Sequence, residues 1–454
     1  MAKDKLKKLR ADEHIVENIE LNIWEALIPV IALVGMLAYN VYVFGDEAIS
    51  GSNQFILLLG GAVAAIVGFF NKVTYKQMLA EVAENVRSTT GALLILLMVG
   101  ALAGTWLVSG IIPAMIYYGL QILNPTIFLG ACVVICAIIS IATGSSWTTA
   151  ATVGIALIGI GDALGISLGM TAGAVLSGAY FGDKMSPLSD TTNLAPAMAG
   201  GELFGHIRYM TYTTIPTITI TLIVFIIIGL NLDTTGQAVT AGILESIDNT
   251  LNINGWLFLV PLAVIFMIIK KTPPLVALLV GTLLGGVFAL IFQPEVVAGI
   301  TGATELTFES GYKGILKSIT VRTSIPTDNP VLNDLFNAKG MAGMLGTIWL
   351  IVCAMVFGGV MDGIGALSRI TKSLLAMAKS TFGLFASTVG SCLAINVTAS
   401  DQYLAIVVPG KMFSKAYEDR GLAPENLSRT LEDSGTVTSV LIPWNTCGAY
   451  HSGV

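Results

Sequence analysis

The longest uncharged run most constrains the fold of this chain. From Ser88 to Gly161, 74 consecutive residues include no Asp, Glu, Lys, Arg or His. A membrane-crossing helix needs about 20 predominantly apolar residues, so the run has room for about three crossings. Pro113, Pro125 and Gly144 are its candidate breaks. The other uncharged runs are 26–45, 48–71, 163–182, 209–232, 249–269, 272–294, 340–361, 380–400 and 434–450. We therefore predict roughly 10 to 12 membrane segments, some of them broken helices.

The composition excludes most classes of soluble protein. Of 454 residues, 54% are hydrophobic and only 11% are charged, and the mean hydropathy is +0.80. A soluble domain carries about 25% charged residues, so this chain could not cover a soluble surface. A cytosolic enzyme, a nucleic-acid binder and a disordered chain are excluded. The five cysteines form no CxxC pair and are interpreted as small apolar residues, and we expect no cofactor.

The two halves of the sequence resemble each other. Trp24 and Trp256 open the halves, and each is followed five residues later by Pro. At an offset of 255, residues 143–146 (TGSS) match residues 398–401 (TASD). This repetition predicts two related membrane repeats.

Loop charges predict that the repeats are inverted. Residues 71–87 carry three basic residues and are expected inside, whereas residues 231–255 carry only acids and are expected outside. The first repeat then starts inside and the second outside. The predicted fold is an all-α polytopic membrane protein with two inverted-topology repeats, broken helices and helical hairpins, and this arrangement is typical of secondary transporters. The predicted parts are a cytoplasmic N-terminal tail (1–23), membrane repeat 1 (24–232), an external linker (233–255) and membrane repeat 2 (256–454).

Polar residues enter the predicted membrane region in four segments. These are Ala142–Thr149, Phe181–Asn193, Asn396–Tyr403 and Leu431–Ser439. Na⁺, like other hard cations, prefers oxygen ligands, and a broken helix frees backbone carbonyls that can bind it. A buried carboxylate can hold either a proton or a metal cation, and this competition is sufficient for cation/proton exchange. The segments therefore indicate an ion site.

Five acids in these segments are the candidate ion- and proton-binding residues. They are Asp183, Asp190, Asp401, Glu432 and Asp433. Each also has an ordinary structural interpretation. Asp183 could pair with its neighbour Lys184, Asp190 could cap a helix, and Arg429 could neutralise one acid of the Glu432-Asp433 pair.

Hydroxyl and amide side chains around these acids are the candidate lining residues. They are Thr143, Ser145, Ser146, Ser189, Thr191, Thr192, Asn193, Thr398, Ser400, Ser434, Thr436 and Thr438. We assign Na⁺ binding to Asp190, Asp401 and Asp433. Several of these hydroxyls could instead bond only to the backbone of their own helix.

Three motifs resemble the NhaC family of Na⁺/H⁺ antiporters, within the ion-transporter superfamily. They are GSSW at 144–147 with the following Gly-rich apolar run, GAYFGDKMSPLSDTTNLA at 178–195, and RTLEDSGTVTS at 429–439 with IPWNTCGAY at 442–450. The resemblance implies exchange of cytoplasmic Na⁺ for external H⁺ in the inner (plasma) membrane of a prokaryote. It points to the acids of the second and third motifs as cation and proton carriers.

Other functions stay open beside this one. Some NhaC-like proteins exchange organic anions, such as malate for lactate, or carry amino acids, and the Ser/Thr-rich breaks could hold a small carboxylate. No Arg lies deep in the uncharged runs, which favours a bare cation. A cation channel is disfavoured because channels usually build a filter from repeated subunits. The expected partners are Na⁺, H⁺ and the lipid bilayer, with no nucleic acid; a homodimer and a small carboxylate substrate stay open.

Overall fold

In the computed structural model of the chain, residues 16–122, 124–232, 237–270 and 272–454 are described. Residues 1–15 of the predicted tail and 233–236 of the predicted linker lie outside these ranges. The helices before the linker are α1 (Ile23–Phe44), α2 (Ser52–Phe70), α3 (Tyr75–Val108), α4 (Ile111–Ile122), α5 (Pro125–Thr143), α6 (Ser146–Thr149), α7 (Ile155–Ala163), α8 (Leu168–Met185), α9 (Asp190–Ala199) and α10 (Leu203–Leu230). A π-helical turn (Ala150–Gly154) joins α6 to α7.

The second half continues in the same way. Its helices are α11 (Gln237–Thr250), α12 (Leu259–Ile269), α13 (Pro274–Phe292), α14 (Pro294–Ile300), α15 (Phe308–Thr320), α16 (Pro330–Leu335), α17 (Gly340–Gly343), α18 (Leu345–Gly363), α19 (Ala366–Ala376), α20 (Thr381–Thr398), α21 (Gln402–Glu418), α22 (Pro424–Leu431), α23 (Val437–Ser439) and α24 (Thr446–Gly453). A second π-helical turn (Glu432–Thr436) joins α22 to α23. Two short antiparallel strands, β1 (Thr323–Ser324) and β2 (Asn337–Ala338), are the only strands among the described residues.

The predicted fold class, an all-α polytopic membrane protein, is confirmed. Eight helices in the described part of the chain are long and apolar enough to cross a membrane, or nine if a pair bent by 89° between Gly242 and Ile268 counts as one span. The eight are α1, α2, α3, α5, α10, α13, the stretch from α17 to α18, and α20. The sequence-based estimate of roughly 10 to 12 segments also included broken ones, which this length criterion does not count. The inversion of the repeats stays a prediction.

The chain forms two compact units that interleave along the sequence. The first contains the described residues of 1–90, 189–212 and 346–453, and the second those of 91–188 and 213–345. In the first unit, α9, α20, α21 and α22 enclose an apolar core that includes Ala195, Leu384, Ile406, Phe413 and Leu431. In the second unit, α5 and α8 pack along much of their lengths.

Close approach of α5 and α8 depends on small residues in α8. A Cβ atom built on Gly178 would lie 2.9 Å from the Cβ of Cys136 and 3.0 Å from the backbone N of Ala137. These distances leave no room for a methyl group, and backbone atoms cannot rotate away from it. Glycine at this position therefore sets the spacing of the two helices that carry the second unit's polar residues.

We expect Gly178→Ala to destabilise the protein by about 1–3 kcal/mol, because an added methyl group overpacks the contact. Gly169→Ala in the same helix is the matched control, since a Cβ there would meet nothing within 4 Å. Thermal unfolding of both variants in detergent would measure the difference. Equal melting temperatures would contradict the packing argument.

Candidate functional site

A helix break in the second unit places several polar groups together. Helix α5 ends at Thr143, and Gly144 adopts a left-handed conformation with φ 70°, which glycine reaches without steric cost. The chain then restarts as α6, with Ser145 as its N-cap, and the Ser145 side chain accepts a hydrogen bond from the backbone N–H of Thr148. The break therefore exposes new helix N–H groups inside an apolar region.

Asp183 occupies the N-terminus of this restarted helix. Its Oδ2 accepts a 3.1 Å bond from the backbone N–H of Ser146 and a 2.6 Å bond from the Ser146 hydroxyl. Both residues are buried, at 8% and 2% exposure. The positive end of a helix dipole stabilises negative charge, so this position suits an ionised carboxylate.

The neighbouring hydroxyls mostly bond to one another or to their own helix. Thr149 donates to the carbonyl of Ser145 at 2.9 Å, and its Oγ1 lies 3.4 Å from that of Thr143. Thr148 donates to the Ser145 hydroxyl at 3.1 Å. These bonds fit the ordinary structural interpretation of serine and threonine in helices.

The first unit contains a second break, built differently. Helix α20 ends at Thr398, and Ser400 has φ 60°, an uncommon left-handed conformation for a residue other than glycine. Asp401 then caps α21: its Oδ1 accepts bonds from the backbone N–H groups of Tyr403 (2.6 Å) and Leu404 (3.1 Å). Asp401 is buried, at 4% exposure. Here the carboxylate on the restarted helix comes from the helix's own N-cap.

Glu432 is a wholly buried acid in the same unit. It begins the π-helical turn after α22, and its Oε1 accepts a 2.9 Å bond from the hydroxyl of Thr191. Thr191 lies in the first turn of α9, where Ser189, the N-cap, accepts a bond from the N–H of Thr192. The structure thus joins two of the sequence motifs, 241 positions apart, through one hydrogen bond.

The remaining predicted residues are two acids, three hydroxyl side chains and one amide. Asp190 is the first residue of α9 and is exposed, and Asp433 is half-buried. The N-cap of α9 is Ser189, so the alternative interpretation of Asp190 as a helix cap is wrong. Three hydroxyls bond to carbonyls one turn earlier in their helices: Thr398 to Ala394, Ser434 to Thr430 and Thr438 to Ser434. The amide of Asn193, likewise, donates to the Ser189 carbonyl at 2.6 Å.

Ser400 and Thr436 differ from the other lining residues. Both are buried, at 0% exposure, and neither hydroxyl has a hydrogen-bond partner among the residues that the structure describes. A buried hydroxyl without a partner costs about 1–3 kcal/mol, so such oxygens are candidates to contact an ion. The described ranges contain no group of three His, Cys, Asp or Glu residues suited to a metal ion. Hydroxyl and carbonyl oxygens would therefore have to supply much of the shell of any Na⁺ bound there.

Asn396 and Asn445 are polar residues of the first unit that the list of lining residues omitted. Asn396 donates from Nδ2 to the carbonyl of Gly435 (2.7 Å) and to the hydroxyl of Thr438 (3.0 Å). Asn445 donates to the Asn396 carbonyl at 3.1 Å. Asn396 opens one of the four polar segments and Asn445 lies in the motif at 442–450, so the available signal was an amide side chain within each uncharged run.

The hydrogen bond between Asn396 and Gly435 has a counterpart in the second unit, 256 positions earlier in the chain. Ser140 donates to the carbonyl of Ala179 at 2.5 Å, and adding 256 to both numbers gives the Asn396–Gly435 bond. The same offset relates the starts of three helix pairs: α5 and α20 (125 and 381), α8 and α22 (168 and 424), α9 and α24 (190 and 446). The two halves of the chain therefore share local structure around their breaks.

Comparison with known proteins gives the same family as the motifs. The sequence profile of the Na⁺/H⁺ antiporter family matches residues 178–454. The chain is 36% identical over 391 residues to the Na⁺/H⁺ antiporter NhaC of Alkalihalophilus pseudofirmus, covering 86% of this chain and 81% of that protein.

The names of two other relatives specify different substrates. The malate-2H⁺/Na⁺-lactate antiporter of Bacillus subtilis is 35% identical over 405 residues, covering 88% of this chain and 83% of its own length. The arginine/ornithine antiporter ArcD of Halobacterium salinarum is 32% identical over 434 residues, with coverage of 94% and 85%. A profile match over more than half of the chain, together with relatives above 30% identity over most of it, decides the family. The chain belongs to the NhaC family of Na⁺/H⁺ antiporters.

Proposed function

We propose that this chain exchanges Na⁺ for H⁺ across the plasma membrane of a prokaryote by alternating access, with its N-terminus in the cytoplasm. The family supports ion exchange in general, and the basic inside loops support the orientation. The two ions compete for shared carboxylates, so one occupant must leave before the other binds. No cofactor takes part beyond the transported ions.

One observation favours a bare cation over an organic anion. In carriers of anionic substrates, the N-termini of broken helices point at the substrate's carboxylate. Here the restarted helix in each unit already holds a carboxylate of the protein itself: Asp183 on Ser146 in one, Asp401 on the first turn of α21 in the other. A second carboxylate at either position would meet like charge. A cation would instead meet negative charge and oxygen ligands.

Competition between a proton and Na⁺ is simplest to explain at the carboxylate of Glu432. It is wholly buried and held by the Thr191 hydroxyl. Burial disfavours the charged form of a carboxylate, so a bound proton or a bound cation stabilises the group there. We assign proton and cation exchange to Glu432 and Asp183, and Na⁺ contacts to Asp190, Asp401 and Asp433 with the hydroxyls of Ser400 and Thr436.

The alternative is exchange of organic anions or amino acids coupled to Na⁺ and H⁺. The malate/lactate relative is 35% identical and the NhaC relative 36%, so sequence identity does not separate the two activities. In this alternative the breaks would bind the organic solute and Na⁺ would be a coupling ion.

Purified protein in liposomes that contain a pH dye distinguishes these functions. We expect an imposed Na⁺ gradient to drive proton flux with malate, lactate and amino acids all absent. Protein-free liposomes give the leak. Flux that appears only after an organic solute is added would overturn the proposal in favour of the alternative.

The Asp401→Asn variant tests whether transport needs the negative charge of Asp401 or only its capping of α21. Asn caps helices about as well as Asp, so the fold should persist while the charge is lost. We expect Na⁺-driven proton flux to fall at least tenfold, or ~1.4 kcal/mol, with an unchanged melting temperature. Asp419→Asn, at an exposed position after α21, is the control. The same test applies to Asp190 and Asp433; full flux in all three variants would disprove the Na⁺ assignment.

Glu432→Gln should also abolish exchange, because glutamine retains an oxygen acceptor for Thr191 but cannot bind and release a proton. Thr191→Val should reduce flux without abolishing it, since the acid remains. Flux is measured in the liposome assay at matched protein density, and Glu418→Gln, at the exposed end of α21, is the control. Wild-type flux in Glu432→Gln would show that this acid is only structural.

A further inference from the structure

Helix α15 turns its large apolar side chains away from the rest of the protein. Phe308, Tyr312 and Leu316 recur every four residues, which places them on one face, and they are 94%, 62% and 40% exposed. The opposite face is buried, and it consists of small or polar residues: Ser310, Gly311, Gly314 and Ser318. The helix therefore packs on the protein through its small residues and turns its large apolar residues outward.

The buried face of α15 packs against a membrane-spanning helix near the end of that helix. A Cβ on Gly311 would lie 3.1 Å from the Leu290 side chain, and one on Gly286 would lie 3.1 Å from that of Ile315. Helix α13, which contains Gly286 and Leu290, ends at Phe292. At 1.5 Å per residue, these contacts lie within about 9 Å of the end of the span.

A second span meets α15 at the same level. A side chain at Gly104 would collide with the carbonyl of Ser318 in α15. Gly104 lies four residues before the end of α3 at Val108. Two spans therefore meet α15 in their last two turns, and the buried face of α15 packs near the ends of both.

Helix α13, which α15 contacts, also exposes a row of apolar side chains. The outward residues of α13 are Leu279, Leu283, Val287 and Ile291, each 45% to 62% exposed. Helix α15 has only 13 residues, too few for a span of about 20. Its charges lie beside the stripe: Lys313 pairs with Glu309, and Lys317 approaches the Ile300 carbonyl at 3.5 Å. An apolar stripe with aromatic residues and flanking lysines is typical of helices that lie in the membrane interface.

We propose that α15 is an in-plane helix that inserts Phe308, Tyr312 and Leu316 into the boundary between lipid headgroups and acyl chains. The partner is the bilayer surface itself. This inference concerns how the protein sits in lipid, and it does not rest on the ion exchanged.

The test uses one introduced cysteine, because all five native cysteines are buried. The full-length Phe308→Cys variant is labelled with an environment-sensitive fluorophore and reconstituted in vesicles of phosphatidylcholine and phosphatidylglycerol. Lys317→Cys is the matched control, because nine residues place it half a turn away on the same helix. Both positions are exposed, so both variants should fold.

Lipids that carry a nitroxide near the top of the acyl chain should quench the label at position 308 roughly threefold more than the label at position 317, because only the stripe enters the interface. Iodide in the aqueous phase should show the reverse order. Equal quenching of the two labels would overturn the proposal. So would efficient crosslinking of two copies of the Phe308→Cys variant through the introduced thiol without lipid quenching, which would assign the stripe to a protein dimer.

Discussion

The structure depends on how backbone polar groups are satisfied where helices break within an apolar layer. Each break frees N–H groups that no lipid can bond, at a cost of several kcal/mol per group. In one unit Ser145 and Asp183 meet these groups, and in the other Asp401 does so alone. The polar residues of the breaks are therefore required by the backbone before any ion is considered. The carboxylates that we propose for ion binding are ones that the helix N-termini already bond.

The two halves use one layout with different chemistry. Gly144 and Ser400 both adopt left-handed conformations just before a restarted helix, but the serine does so with a buried hydroxyl. The corresponding bond to a neighbouring helix comes from a hydroxyl at Ser140 and from an amide at Asn396. The carboxylate at the restarted helix belongs to Asp183 of α8 in one half and to Asp401, the N-cap itself, in the other. The two breaks thus share a layout but differ in the residues that bond at them.

Much of the fold could be predicted from the sequence because a missing charge is a strong signal in lipid. The uncharged runs indicated the spans, and Gly144 was a predicted break, whereas the break at Ser400 lies in a segment that was predicted only to be polar. The pairing of Thr191 with Glu432 could not be predicted, since it joins segments 241 positions apart. The π-helical turns carry no compositional signal. The exposure of Asp190 depends on tertiary packing, and the outward stripe of α15 is hidden because exposed and buried apolar residues look alike in a membrane protein.

The bonds around Asn396 have a mechanical consequence. Residues 396–400 are tied to residues 435–446 by the Asn396 amide, by the Trp444 indole N–H to the Val397 carbonyl, and by the Thr446 N–H to the Ser400 carbonyl. These bonds tie the two segments together at three points. If the protein bends during transport, we expect the two segments to move together and the bending to occur in elements that lack such cross-ties.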